Sequence, residues 1–403
     1  MSKGKKILIG ICVPIVALLL AFAILCFVTM GMYSAEYLNR VISRIDSDIE
    51  DYKYFPSRGI AASENAYEYA YELNALLPEY VVEYNDGSRS RSLDNFVDNT
   101  KTTAFIVIKN DKIVYERYAN GYDAMSINTS FSMSKSVVSL LIGKAIEEGY
   151  IGAVDHYIGA YIEEFSELPI GKITIEDLLS MRSPIEYDED KFLWFGDDSL
   201  TYWHPDLRKI ALEHTKLTDK YQGKFHYNNY HPLLLGIILE RSTGMSVSEY
   251  FEKSIWQPIG AQYDASWSLD SEKSGFEKME SGLNFRAVDF AKVGSMVLHG
   301  GNWNGEQIID REWLNTSTLC EFPIDKAEYS GTFLANRNVG YKYMWYSYPS
   351  PKGGYDVFAW GKSDQILYIS PDNNTVILRN GRTDGGVSDW EAVLQAIANA
   401  DCL

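Results

Sequence analysis

Phe131-Ser132-Met133-Ser134-Lys135-Ser136 opens a run to Glu148 in which Val137, Val138, Leu141, Ile142, Ala145 and Ile146 recur at helical spacing. The run is therefore predicted to be a helix that starts at or near Ser132. Residues three apart share a helix face, so Lys135 is expected beside Ser132 at the helix N-terminus. Free backbone N–H groups and the positive end of the helix dipole also lie there, which suits an oxyanion. A serine hydroxyl is a weak nucleophile until a neighbouring base takes its proton, and a desolvated lysine is able to do so. The ordinary alternative is a serine N-cap followed by a solvated lysine. Ser2-Lys3-Gly4-Lys5 repeats the same four-residue pattern in the N-terminal tail, so the pattern depends on its surroundings for meaning.

Upstream of that helix, Thr103 to Ile108 and Lys112 to Tyr118 read as a hairpin with a loop of three to five residues around Lys109-Asn110-Asp111. Strand signatures return at Tyr355 to Ala359, Gln365 to Ile369 and Thr375 to Arg379, and a helix from about Asp389 to Ala400 follows. Helical patterns occupy Ile175 to Met181, Pro232 to Ser242 and Val288 to His299, and another is read through Ala66, Ala70, Leu73 and Leu77. These elements predict an α+β fold: one antiparallel sheet built from both ends of the chain, flanked by helices, with a helical region inserted.

Two further segments can carry chemistry. Tyr227-Asn228-Asn229 precedes the helix around Pro232. A tyrosine near lysines can relay protons, and Asn229 can donate to a substrate carbonyl, although a turn before a helix is the plainer reading. Trp360-Gly361-Lys362-Ser363-Asp364-Gln365 runs into a strand. Lys362 there adds positive charge, and strand-edge N–H groups can complete an oxyanion hole, against the alternative of an ordinary turn with a solvated lysine.

Taken in order, Ser132/Lys135, Tyr227 and Lys362 resemble the motifs of the serine β-lactamase and penicillin-binding protein superfamily. Within it they resemble the class C β-lactamase-like branch, which includes esterases, D-aminopeptidases and 6-aminohexanoate-oligomer hydrolases. The stretches Ile173 to Met181, Trp256 to Gly260 and Arg286 to Gly294 add to the resemblance, which spans about Phe55 to the C-terminus. It implies a β-lactamase/DD-peptidase-like fold and a serine hydrolase acting on a small-molecule or peptide amide or ester. Ser132 is implied as the acylated nucleophile and Lys135 with Tyr227 as the proton-transfer pair. Asn229, Lys362, Ser363 and Gln365 are implied at the substrate and oxyanion positions, the oxyanion hole being the N–H groups of Ser132 and Gln365. No metal or cofactor is implied. Two departures stand out: Asp364 sits where the family has glycine, and Arg182-Ser183-Pro184 replaces a common Ser-Gly turn. Since residues two apart share a strand face, Asp364 is expected to pair with Lys362 and weaken recognition of a substrate carboxylate.

Lys3, Lys5 and Lys6 precede an uncharged run from Ile7 to Met32, long enough to cross a bilayer. The lysine bias places residues 1–6 in the cytoplasm, 7–32 in the membrane as an uncleaved anchor, 33–54 as a juxtamembrane spacer, and 55–403 outside as the hydrolase domain. A net charge of −18 argues against nucleic acid as a partner. Neither the oligomeric state nor a Cys320–Cys402 disulfide can be read. Trp194, Phe195, Tyr202 and Trp203 are candidates for walling the pocket. The absence of a Gly-x-Ser-x-Gly elbow and of His-Glu-x-x-His disfavours α/β-hydrolase and metal-hydrolase chemistry, and leaves His226 and His231 as helix-end or core residues. The rival from another class is a catalytically impaired relative that binds cell-wall peptide or a partner protein.

Overall fold

In the predicted hairpin, Thr102–Lys109 and Lys112–Tyr118 are joined by only two residues, Asn110 (φ 49°) and Asp111 (φ 60°). Two consecutive positive φ values make a tight turn whose twist matches the strands, which is why the loop is shorter than expected. The computed structural model describes residues 3–85, 87–90, 92–189, 191–319, 327 and 329–403, with side chains from residue 12 onward. Cys320, one of the two candidate disulfide partners, lies outside the described residues.

The chain forms two compact units, residues 1–47 with 188–205 and residues 48–187 with 206–403. The larger unit is organised by an eight-stranded sheet. Its strands run in the order Gly340–Lys342, Trp345–Pro349, Tyr355–Gly361, Gln365–Ser370, Thr375–Gly381, Thr102–Lys109, Lys112–Tyr118 and Ala70–Tyr71. The two ends of the chain meet at its centre, where Thr375–Gly381 pairs antiparallel with Thr102–Lys109 and Arg379 stands opposite Phe105. The last strand was not foreseen. Ala70 and Tyr71 pair parallel with Lys112 and Ile113, so the sheet is mixed and the helix expected through Ala66 to Leu77 is absent. The backbone there hydrogen-bonds the sheet edge instead, through Glu72 N to Ile113 O and Asn74 N to Val114 O, both 2.9 Å. Leu73, placed on the supposed apolar face, is exposed.

Helices cover both faces of the sheet. Successive strand residues point to opposite sides. Leu367 and Val376 meet the helix Ala287–Leu298 at Gly294, where an added Cβ would come within 2.7 Å of Val376 and 2.8 Å of Leu367. On the other face, Tyr368 donates to Asp356, which also receives Gln395 from the helix Trp390–Ala398. Buried apolar side chains from both layers make the architecture α+β, as the sequence predicts. A second sheet of four strands, in the order Ser57–Ile60, Ala265–Ser268, Leu283–Arg286 and Ile127–Thr129, leads directly into Ser132.

The smaller unit holds the helices Lys3–Met32 and Ala35–Arg44 and the helix Asp197–Trp203. Ser34 caps the second helix by accepting from Tyr37 N, and Tyr37, Leu38 and Val41 are buried on it. Trp194, Phe195, Tyr202 and Trp203, the candidates for walling the pocket, group with these N-terminal helices.

Candidate active site

The strand Ile127–Thr129 is held by Leu283–Arg286, and Ser130 N continues the ladder to Leu283 O at 2.8 Å. Phe131 then takes φ 42°, a left-handed conformation that a bulky side chain rarely adopts, and turns the chain sharply into the helix Met133–Glu147. Ser134 locks this corner: its hydroxyl lies 2.6 Å from Ser130 Oγ and accepts from Leu283 N at 3.3 Å. Ser132 occupies the N-cap position but makes no side-chain cap hydrogen bond, so its hydroxyl is not spent on the helix.

That hydroxyl accepts from Lys135 Nζ at 2.9 Å, the i to i+3 contact the spacing predicts. Lys135 is only 2 % exposed and gives a second hydrogen bond to Glu280 O, also at 2.9 Å. The carboxylate of Glu280 forms a buried ion pair with Lys278 at 3.1 Å and accepts from Ser281 Oγ at 2.7 Å. Glu280 and Lys278 escaped the sequence reading because charged residues in a polar stretch normally read as solvated surface.

Tyr227 brings its ring to Lys135, with Nζ 4.9 Å from the ring centroid. The turn that carries it is fixed from below. Asn228 is buried, donates to Ile185 O at 3.0 Å and accepts from Tyr230 N at 2.8 Å, and so holds the entry to the helix Tyr230–Thr243. His226 N donates to Met181 O at 2.7 Å, and its ring stacks on Tyr221 at 3.6 Å. His231 is buried against Ser183, Nε2 to Oγ 2.7 Å, and burial pushes its pKa down to about 3. Both histidines are thus scaffold, as expected, and the unusual Ser183-Pro184 turn is pinned by one of them. Asn229 donates its amide to the Tyr187 hydroxyl at 2.8 Å. The rings around Tyr227 are Phe333 at 5.5 Å and Tyr341 at 6.4 Å. Tyr346 lies beside it, its hydroxyl pushed well above the usual range by burial first and by Tyr227 second.

The third segment approaches the helix start through Gly361. A Cβ at that residue would stand 2.5 Å from Ser130 O and 2.9 Å from Ser132 N, so only glycine lets the strand Tyr355–Gly361 come this close. Gly361 and Gln365 face each other across the turn Lys362-Ser363-Asp364. Ser363 (φ 61°) and Asp364 (φ 53°) both take positive φ, and Arg379 holds their carbonyls at 2.5 and 2.8 Å. Asp364 does not pair with Lys362: its carboxylate accepts the Trp360 indole N–H at 2.6 Å, and among the described residues no ion pair joins the two. The positive φ values break the strand geometry on which the expected pairing rested. Lys362 is exposed, so the expected cancellation of its charge by Asp364 is corrected. The Gln365 side chain is committed to Gly381 O at 2.6 Å and to Asn380 at 2.9 Å, which leaves its backbone as the group able to face the site. The fold therefore brings Ser132, Lys135, Tyr227 and the Gly361–Gln365 strand ends together, with Asn229 held on Tyr187.

A serine hydroxyl on a buried lysine, beside a tyrosine and a strand edge, can perform acyl transfer. The β-lactamase family profile matches residues 90–400, and the chain belongs to this family of serine hydrolases. It is 24% identical over 328 residues to the 6-aminohexanoate-dimer hydrolase of Paenarthrobacter ureafaciens, covering 77% of this chain and 80% of the relative. A Bacillus anthracis structure described provisionally as a 6-aminohexanoate-dimer hydrolase superposes with TM-score 0.74 at 23% identity, covering 87% of this chain and 91% of that one. The penicillin-binding protein of Bacillus halodurans superposes with TM-score 0.57 at 15% identity, covering 76% of this chain and 98% of that one.

Proposed function

We propose that the protein hydrolyses an amide or ester through an acyl-enzyme on Ser132. The observation that carries this reading is the 2.9 Å contact between Ser132 Oγ and the buried Lys135 Nζ. Ser132 Oγ attacks the substrate carbonyl carbon while its proton passes to the Lys135/Tyr227 pair. The carbonyl oxygen takes up negative charge between the N–H groups of Ser132 and Gln365. Collapse of this tetrahedral species breaks the bond to the leaving group, which departs with a proton delivered through Tyr227. Water then gives a proton to the same pair, attacks the acyl carbon and releases the acid, which restores Ser132. Lys362 and Ser363 flank the substrate on the strand side, and Asn229 lies at the substrate edge beside Tyr187.

The helix Lys3–Met32 acts as a signal anchor in this reading. Its strongly apolar part, Cys12–Met32, has 21 residues. At 1.5 Å per residue it spans about 31 Å, which matches a hydrocarbon core of about 30 Å. Lys3, Lys5 and Lys6 hold the N-terminus in the cytoplasm, and residues 55–403, apart from the insert 188–205 that folds with the N-terminal helices, form the hydrolase domain outside. The substrate class is tested with a panel of p-nitrophenyl esters, D-amino acid amides, short amide oligomers and a chromogenic cephalosporin. Turnover of at least one, lost in Ser132→Ala, is expected. A wild type inactive on all of them, or turnover unchanged in Ser132→Ala, contradicts the reading.

A further inference from the structure

Residues 188–205 interrupt the larger unit in sequence but fold with the N-terminal helices. The contact is specific. Trp194 donates its indole N–H to Thr29 Oγ1 at 2.9 Å, and Thr29, with no exposed surface, donates in turn to Leu25 O. The Trp194 ring meets Phe22 edge-on at 6.4 Å, while its carbonyl accepts the Tyr37 hydroxyl at 2.5 Å. Arg40 fixes the far end of the insert by donating to Trp203 O at 3.2 Å.

These partners set a depth. Thr29 lies three residues before Met32, about 4–5 Å along the helix axis, and Phe22 lies about 15 Å before it. With Cys12–Met32 across the hydrocarbon, Phe22 stands near its middle and Thr29 just inside its outer end, so the indole lies in the outer half of the hydrocarbon with its N–H on Thr29, turned toward the boundary where membrane tryptophans collect. Beside Trp194 on the chain, Phe192 is 72% and Leu193 is 53% exposed, large apolar side chains turned outward at the same end of the span.

We propose that Phe192-Leu193-Trp194-Phe195 enters the bilayer boundary next to the C-terminal end of the anchor helix and makes a second, non-helical membrane contact. The inference rests on the membrane-anchor reading above. The partner is the acyl-chain and glycerol region of the lipid. In the sequence beside the apolar tip, Asp188, Glu189, Asp190, Asp197 and Asp198 outnumber Lys191, itself 3.7 Å from Asp197, so attachment does not depend on anionic headgroups.

The test places the full chain in phosphatidylcholine vesicles whose acyl chains carry bromine near the headgroup or near the bilayer centre. Resistance to alkaline carbonate reads the anchor, and bromine quenching of tryptophan reads the insert. Retention in carbonate is expected, with a quenched component stronger for shallow bromines, lost in Trp194→Phe and unchanged by adding anionic lipid. Phe192→Trp, at an exposed position that folding does not need, is expected to add quenching. A chain retained in carbonate whose quenching is the same in wild type, Trp194→Phe and Phe192→Trp overturns the insert alone. Release by carbonate overturns the anchor and the insert with it.

Discussion

The helix start at Ser132 and the turn at Lys362 meet across Gly361, and each presents a lysine in a different way. Lys135 is 2% exposed and fixed by hydrogen bonds to Ser132 Oγ and Glu280 O, both 2.9 Å. Lys362 is exposed on a turn whose backbone Arg379 holds through the Ser363 and Asp364 carbonyls, with Asp364 tied to Trp360. The difference separates two tasks. In the proposed reaction the buried, doubly bonded Lys135 exchanges protons with Ser132, whereas Lys362 lies on the turn that flanks the substrate. Changes on the helix side should therefore stop the chemistry, and changes on the turn should adjust it.

The largest effect is expected from Ser132→Ala, which should lower steady-state ester turnover by at least about 10³-fold with the thermal midpoint nearly unchanged. Tyr227→Phe keeps the ring against Lys135 and removes the hydroxyl. It should lower kcat by about 10²–10⁴-fold, more for an amide with a poor leaving group than for a nitrophenyl ester, because protonation of the leaving group is what is lost. Gly361→Ala probes the seam itself. Its Cβ would be forced against Ser130 O and Ser132 N. A stability cost of about 1–3 kcal/mol in denaturant unfolding should accompany a drop in kcat/KM of about 10²-fold. Equal turnover in the folded variant would show that the strand end and the helix start work independently.

The smallest effect belongs to the turn. Burial raises the pKa of the Asp364 carboxyl above its usual range, although Trp360 and Arg379 act against the shift. A raised folded-state pKa stabilises the protein only while the group is protonated, and that contribution is lost as pH rises through the folded pKa. Asp364→Asn keeps an acceptor for Trp360 and removes the charge. Its thermal midpoint should exceed that of the wild type by no more than a few degrees at neutral pH, and the gap should close below the carboxylate range.

The same contrast governs what the sequence made legible. The helix start was readable because i to i+3 spacing, an apolar helix face and a preceding hairpin all describe local geometry that the fold preserves. The three C-terminal strands were equally plain as short apolar-rich runs. Glu280 and Lys278 were hidden, since their burial is created by chain segments distant in sequence. The Asp364 side chain was misjudged because strand periodicity was carried into a turn where Ser363 and Asp364 take positive φ. Ala66 to Leu77 was misread as a helix because its backbone bonds the sheet edge, which leaves Ala66, Ala70 and Leu73 of the supposed apolar face exposed. The grouping of residues 188–205 with the N-terminal helices leaves no local signature: Trp194 looks like any aromatic until Thr29 is seen beside it.

The central claim is that Ser132 carries the acyl group, and covalent trapping tests it most directly. The full-length protein is incubated with a fluorophosphonate and its intact mass and peptide map are recorded. The account predicts one adduct per chain, located on Ser132, absent from Ser132→Ala and formed much more slowly in Lys135→Met. An adduct on a different serine, or labelling as fast in Lys135→Met as in the wild type, would contradict it.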